Sequence, residues 1–408
     1  MANNIPTYQD ILQSTNIIYK NGIRKTPLSR SSTFSKFVGT NIYLKMESLQ
    51  RTGSFKARGA INKIVSLEKS KLSKYGIIAA SAGNHAQGVA YAASIRKIPC
   101  TIVMPVNASP AKVSATKSYN ANVIQRGSDY DEAWTITQEI AREENMTIIH
   151  AFDDPTIIAG QGTIGLEVLE DLPNVDEIYV PIGGGGLISG IAIAVKTKKP
   201  GIKIIGVESR SYPSMKESLK KGIIQRKTGS YTIADGISVK SPGNLTFKIA
   251  QKYLDDIVLV DDKDIVKTMF LLMERSKQVV EPAGVASLAY LLKNGHKDKN
   301  KNVVSILSGG NVDMYLLGQI VAKGLMQMNR LIKIFIQLQD KPGALKSVVD
   351  SISELSVNIV EVVHDRLSSN IPAGTAGVYL SLELENEKHA ERLIEFLKRK
   401  DINFRVIR

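Results

Sequence analysis

The hydrophobic rhythm of the chain changes once, near Asn329, and that change divides it in two. From about residue 40 to 320, short unbroken apolar runs alternate with longer stretches of helical period. Runs at 41–44, 76–80, 101–104, 177–180, 202–207 and 302–307 predict buried strands, and 129–144, 264–277 and 283–293 predict helices between them. Continuous apolar strands alternating with helices imply an α/β fold with largely parallel sheets covered on both faces. In such folds the loops at the carboxyl ends of strands carry the chemistry.

Beyond Asn329 apolar and polar residues alternate from 331 to 339, the period of a half-exposed strand. Asp340-Lys341-Pro342-Gly343 then breaks the chain, and a helix is predicted to about Leu355. Strands at 357–365 and 377–384, a helix at 388–398 and a strand at 402–407 complete a βαββαβ pattern. The expected domains are therefore 1–328 and 329–408. Little Pro or Gly marks the joint, so a short connection is expected.

Composition narrows the classes. A chain of 408 residues accommodates two or three domains. It has no run of about eighteen apolar residues, so no membrane helix is expected. Its start has no basic region leading into an apolar stretch, so no secretory signal is expected. The single cysteine, Cys100, precludes an internal disulfide framework and fits a reducing, cytoplasmic setting. A net charge of +14 raises nucleic acid as a partner. The lysines are dispersed, however, and the clusters at 196–199 and 293–301 hold almost no interleaved aromatics. Nucleic acid is thus not expected; a positive field also suits an anionic cofactor or substrate.

Four punctuated segments carry candidate chemistry. Arg51-Thr52-Gly53-Ser54-Phe55-Lys56-Ala57-Arg58-Gly59-Ala60 presents Lys56 at a predicted helix start, with Ser54 placed to cap it. A lysine is a poor nucleophile at neutral pH unless desolvated or held as an imine, and most lysines here are simply solvated. Gly183-Gly184-Gly185-Gly186-Leu187 follows a strand and opens a helix, so its N–H groups can converge on a phosphate. A tight turn for close packing is the competing reading. The spacing matches neither G-x-G-x-x-G nor G-x-x-x-x-G-K-[ST]. Ser81-Ala82-Gly83-Asn84-His85-Ala86-Gln87-Gly88 joins a strand end to a helix N-terminus, a place for a carboxylate. Ser308-Gly309-Gly310-Asn311 puts a hydroxyl at the end of an apolar strand. Glu281 starts a further helix, facing the cleft or only complementing its dipole. Five histidines show no paired ligand spacing, and no metal site is expected.

Taken together, the four segments resemble the tryptophan-synthase β (fold type II) family of pyridoxal-phosphate enzymes, and within it the threonine/serine dehydratases. The resemblance covers essentially the whole chain. It implies two three-layer αβα lobes with the cofactor between them, the smaller lobe (about 52–152) inserted in the larger, and a C-terminal ACT-like domain. It implies pyridoxal 5'-phosphate bound covalently by Lys56 and contacted by Phe55, Asn84, Gly183, Gly184, Gly185, Gly186, Leu187, Glu281 and Ser308. The substrate carboxylate would meet Ser81, Gly83, Asn84 and His85. The implied activity is a threonine ammonia-lyase, making 2-oxobutanoate and ammonia from L-threonine, with L-serine as a second substrate. That reaction is the first step toward isoleucine.

His85 stands where the sulfhydrylase branch has a threonine, which favours dehydration over sulfur transfer. Ala82 stands where serine racemases carry a proton-donating serine, which argues against racemisation. Glu208 matches one ligand of a cation site in that subgroup, but Ser214 replaces the expected Asp. The ACT-like tail implies an isoleucine or valine effector near Asp340, Gly343, Asn358 and Ile359, and a homo-oligomer, dimer or tetramer. The alternatives are a serine dehydratase or racemase, and a non-catalytic amino-acid sensor that keeps the enzyme-like fold.

Overall fold

The computed structural model describes residues 4–68, 72 and 74–407. They group into two compact units that divide between Asp313 and Met314. The expected break at 328/329 falls one element later, because the helix Met314–Gln327 packs against the strand that follows it. The change of rhythm marks the first strand of the second unit, not its first element.

Among the described residues the first unit contains strands β1 (Leu28–Arg30), β2 (Asn41–Met46), β3 (Ile77–Ala80), β4 (Cys100–Met104), β5 (Asn122–Gln125), β6 (Thr147–Ile148), β7 (Glu177–Pro181), β8 (Lys203–Ser209), β9 (Asp256–Val260) and β10 (Asn302–Leu307). They build two sheets, ordered β1-β2-β10-β7-β8-β9 and β5-β4-β3-β6. All pairings are parallel except β1 with β2. The smaller sheet uses the strands that lie between β2 and β7 in sequence.

Both sheets are covered on both faces, which explains their unbroken apolar strands. In the smaller, Ile77, Ala79, Ile102 and Met104 pack with the helices Lys56–Ser66 and Asn84–Arg96. Ile78 and Val103, one residue out of phase, pack with the helix Tyr130–Glu143. In the larger, Ile178, Val180, Ile204, Val304 and Ile306 meet the helices Pro155–Asp171 and Gly186–Lys198. The helix Ala286–Asn294 lies on the opposite face, where Tyr290 stacks on Tyr179 at 6.1 Å. These are the two αβα lobes that the sequence implied.

A closed charge cluster fixes the helix that carries Lys56. Arg58 donates to Glu47 through Nε and Nη2, each at 2.8 Å, and to Glu167 Oε2 at 3.0 Å. Lys45 completes it on Glu167 and the Thr26 carbonyl. All four charged side chains are at most 2% exposed. Two positive and two negative groups thus neutralise each other where a lone charge would be prohibitive.

The second unit has β11 (Leu331–Gln339), β12 (Asn358–Asp365), β13 (Thr375–Glu383) and β14 (Phe404–Ile407), antiparallel in the order β12-β13-β11-β14. Ile332, Ile334 and Ile336 alternate inward, with Val378, Leu380 and Leu382, against the helices Ala344–Ser353 and Glu387–Arg399. This is the predicted βαββαβ module.

Candidate active site

Three loops leave the carboxyl ends of β3, β7 and β10 and surround one cavity of about 370 Å³. Its size is that of a small-ligand pocket. Phe55, Lys56, Ser81, Gly83, Asn84, His85, the Gly183–Leu187 loop, Glu281 and Ser308 all line it. The four regulatory candidates lie in the second unit instead.

Lys56 opens the helix Lys56–Ser66, but Ser54 does not cap it: the cap position is Phe55, and the buried Ser54 hydroxyl has no partner among the described residues. The segment is held from outside. Phe55 N donates to Ser308 O at 3.1 Å, Gly310 N donates to Gly53 O at 2.8 Å, and Ser54 bridges Gly309. These bonds bring the lysine loop onto the Ser308 turn. Lys56 Nζ donates to Ala151 O at 2.9 Å and lies 5.2 Å from the Phe55 ring centre. Burial lowers its pKa to about 8 against the pull of Glu281.

Opposite lies the glycine loop. Gly185 has φ +95°, a left-handed conformation that disfavours other residues. A β-carbon on Gly184 would come within 2.3 Å of the Phe152 ring. The packing reading of the glycines holds, since the loop must be bare to pack against Phe152; the same bareness leaves its backbone donors open to the cavity. Among the described residues, no protein acceptor takes the N–H groups of Gly183 to Leu187. Thr246 pins the loop from behind, its hydroxyl donating to Gly184 O at 2.7 Å. Asp153 caps the helix Asn244–Tyr253, accepting from the N–H groups of Asn244, Leu245 and Thr246. His150 Nδ1 accepts from Phe152 N and Asp153 N and so shapes that support.

At the start of the helix Asn84–Arg96, Ser81 Oγ accepts from Gly83 N at 3.1 Å. Asn84 Nδ2 donates to Glu281 Oε1 at 2.6 Å. Burial, then Asp235, raises the Glu281 carboxyl to about 8. His85 Nε2 meets Ile149 O at 2.9 Å, and burial with the nearby Lys56 lowers its pKa to about 3. The imidazole is therefore a neutral donor to a carbonyl and brings no positive charge to an anion. The Ser308 hydroxyl has no protein partner among the described residues.

Sequence reasoning missed Phe152, Asp153 and Thr246, and also the charged rim. There Lys112 pairs with Asp235, Lys240 with Asp129 and Asp131, and Arg226 with Asp131. Asp154-Pro155 was the one usable signal, since an aspartate before a proline starts helices. Asp154 does cap the helix Pro155–Asp171, placing Phe152 in the loop just before it. Glu208 lies outside the cavity, and both its carboxylate oxygens are taken by the N–H groups of Met215 and Lys216. Burial raises its carboxyl to about 7. Among the described residues no cluster of metal-binding side chains occurs, and no helix is long and apolar enough to cross a membrane.

The regulatory candidates do not converge within one chain. Asn358 pairs with Glu383 and Glu383 with Leu331, at the start of β11. Asp340 and Gly343 follow the other end of β11, roughly 26 Å along at about 3.3 Å per residue. Asp340 accepts from Arg366, and Gly343, at φ +88°, precedes the helix Ala344–Ser353 with open space at its α-carbon.

A buried amine of lowered pKa is useful to a carbonyl compound, and bare N–H groups across the cavity suit an anionic group on the same molecule. Fold and site thus define an α/β enzyme that works through a bound cofactor. The chain belongs to the pyridoxal-phosphate-dependent enzyme family, whose profile matches residues 19–309. It is 44% identical to the L-threonine ammonia-lyase of Thermotoga maritima over 403 residues, 98% of this chain and 99% of that one. Among solved structures, threonine deaminase isoform 2 of Solanum lycopersicum matches with a TM-score of 0.74 at 35% identity, covering 79% of this chain and 91% of that one. Maize serine racemase also matches, with a TM-score of 0.74 at 35% identity over 80% of this chain and 100% of that one. The residues present fit pyridoxal 5'-phosphate: a desolvated amine for its aldehyde, unpaired N–H groups for its phosphate and an unpaired hydroxyl at Ser308 for its ring.

Proposed function

We propose that this chain is an L-threonine ammonia-lyase, converting L-threonine to 2-oxobutanoate and ammonia and accepting L-serine as a second substrate. The observation that carries the reading is Lys56, a buried amine of pKa about 8 facing the Gly183–Leu187 loop. The near full-length likeness to a threonine ammonia-lyase supports it. Lys56 would hold the cofactor's aldehyde, Gly183–Leu187 its phosphate, Ser308 its ring nitrogen, and Phe55, Asn84 and Glu281 its ring surroundings. When bound, pyridoxal 5'-phosphate supplies the electron sink that makes an amino acid's α-proton removable.

The Ser81–His85 loop receives the substrate carboxylate on backbone donors at a helix N-terminus. His85, neutral and tied to Ile149 O, orients that loop. Lys56, with its lowered pKa, takes the α-proton near neutral pH. The β-hydroxyl then leaves, and the water lost on elimination is regained when the product imine hydrolyses. Ala82 lines the cavity beside Ser81 and has no proton to return, so elimination is favoured over racemisation.

We also infer that isoleucine or valine acts through the second unit. Asp340 and Gly343 lie at one end of its sheet, Asn358 and Ile359 at the other. A single effector could touch both only where two copies meet, so this reading goes with a homo-oligomer.

The test is 2-oxo-acid formation from L-threonine and L-serine, with and without isoleucine. Lys56→Ala should lower turnover at least ~100-fold. Wild-type turnover by Lys56→Ala would overturn the assignment; an isoleucine-insensitive rate would remove the regulatory part alone.

A further inference from the structure

Asn311 ends the Ser308–Asn311 turn, and nothing in the chemistry above uses it. Its Nδ2 donates twice, to Thr52 O at 2.6 Å and to Asn84 Oδ1 at 2.7 Å. Asn84 in turn donates from Nδ2 to Glu281 Oε1 at 2.6 Å. The chain of bonds has a fixed direction. The Thr52 carbonyl can only accept, so Asn311 must turn its NH₂ group toward it. The second hydrogen of that group then requires an acceptor at Asn84, which can only be Oδ1. With its oxygen engaged, Asn84 must turn its own NH₂ group toward Glu281 and the cavity.

The far end of the relay is built around the same amide. Thr52 has φ +60°, an outlier for a β-branched residue, and its carbonyl is the one that Asn311 holds. Gly53, next in sequence, has φ +72°, and a β-carbon there would come within 2.3 Å of Asn311 Oδ1. The lysine loop therefore takes a strained turn with a bare residue where the Asn311 side chain passes. Strain of this kind persists only where the surroundings over-determine it.

We propose that Asn311 is a positioning residue: it locks the Asn84 amide with its donor face toward the cofactor and ties that orientation to the turn leading into Lys56. The inference rests on the reading that Asn84 faces the cofactor. A carboxylate at 311 would present only acceptors to Thr52 O and Asn84 Oδ1. Asn84 would then turn over to donate to it, leaving its oxygen toward the cavity.

The experiment uses full-length protein reconstituted with pyridoxal 5'-phosphate and compares Asn84→Ala, Asn311→Asp, Asn311→Ala and the double variant Asn84→Ala/Asn311→Ala. Readouts are the absorbance maximum of the bound cofactor, its dissociation constant, kcat for L-threonine and Tm. Asn311→Asp should shift the absorbance maximum in the same direction as Asn84→Ala and lower kcat about 10- to 100-fold. Because Asn311 acts through Asn84, the double variant should be no slower than Asn84→Ala alone. Asn311→Ala, which introduces no new charge, serves if the aspartate variant does not fold. A shifted spectrum in Asn84→Ala with wild-type spectra and rates in both Asn311 variants would overturn the inference, as would losses that multiply in the double variant. An unshifted Asn84→Ala spectrum would instead overturn the placement of Asn84 on which it rests.

Discussion

Glu281 and Lys56 are pushed toward one another in proton affinity by a common cause. Burial raises the carboxyl from 4.5 to about 8 and lowers the amine from 10.5 to about 8. For Glu281 the folded form keeps a proton that the unfolded chain gives up between pH 4.5 and about 8. Its contribution to stability is therefore full below pH 4.5 and is lost as pH rises through that window. At about 1.4 kcal/mol per unit, the loss across the window is on the order of 5 kcal/mol. His85 acts in the opposite sense, its folded pKa of about 3 costing stability as pH falls below 6.5. In cofactor-free protein, Glu281→Gln should gain Tm relative to wild type steadily from pH 5 to 8, and a gap that stays flat over this range would show the carboxyl already ionised.

The glycine loop depends on an element with no glycine in it. Phe152 covers Gly184 and Gly186, and the His150–Asp153 segment is held by the imidazole of His150, whose pKa burial lowers. Gly184→Ala would drive a methyl group into the Phe152 ring, an overpacking of about 1–3 kcal/mol that the loop can relieve only by moving. Its affinity for pyridoxal 5'-phosphate should fall at least ~10-fold, and Phe152→Leu added to it should recover most of that loss. Titration of cofactor-free protein checks this; full affinity in Gly184→Ala would mean that the loop does not sense the ring. This dependence also marks what could be read from sequence. Runs such as Asn302–Leu307 and Leu331–Gln339 matched their strands residue for residue, because their period is local and strong. Their positions also put the three loops at strand ends. The short strands β5 and β6 went unseen, since Asn122–Gln125 and Thr147–Ile148 are only partly buried and owe their pairing to a neighbouring strand. Phe152 against Gly184 and Thr246 on Gly184 O are contacts between distant segments, which no periodicity announces. Ser54 failed as a cap for the same reason: the Ser308 turn, far away in sequence, holds its loop.

The two lobes of the first unit are joined by charge in two different ways. At the cavity rim, Lys112–Asp235 and the pairs of Lys240 and Arg226 with Asp129 and Asp131 are partly exposed, so each is weak and screened by salt. Beneath the helix Lys56–Ser66, the Arg58 cluster is sealed and joins that helix to β2 and to the helix Pro155–Asp171. Burial works to raise the Glu167 carboxyl, but Arg58 and then Lys45 outweigh it and hold it below its ordinary value. In wild type that contribution is present above the ordinary carboxylate pKa and is lost as pH falls below it. Arg58→Met removes one cation and leaves Glu47 and Glu167 buried with only Lys45 between them, a cost of about 3–5 kcal/mol at neutral pH. The sign of the pH dependence should then reverse. The uncompensated carboxylates take up protons at higher pH in the folded variant, so acidification to pH 5 relieves it while the wild-type contribution of Glu167 is still intact. Urea midpoints at pH 7.5 and pH 5 should show the gap between the two proteins narrowing toward acid. A gap that stays constant would mean that Arg58 stabilises the lobe joint by packing alone, with its charge playing no part.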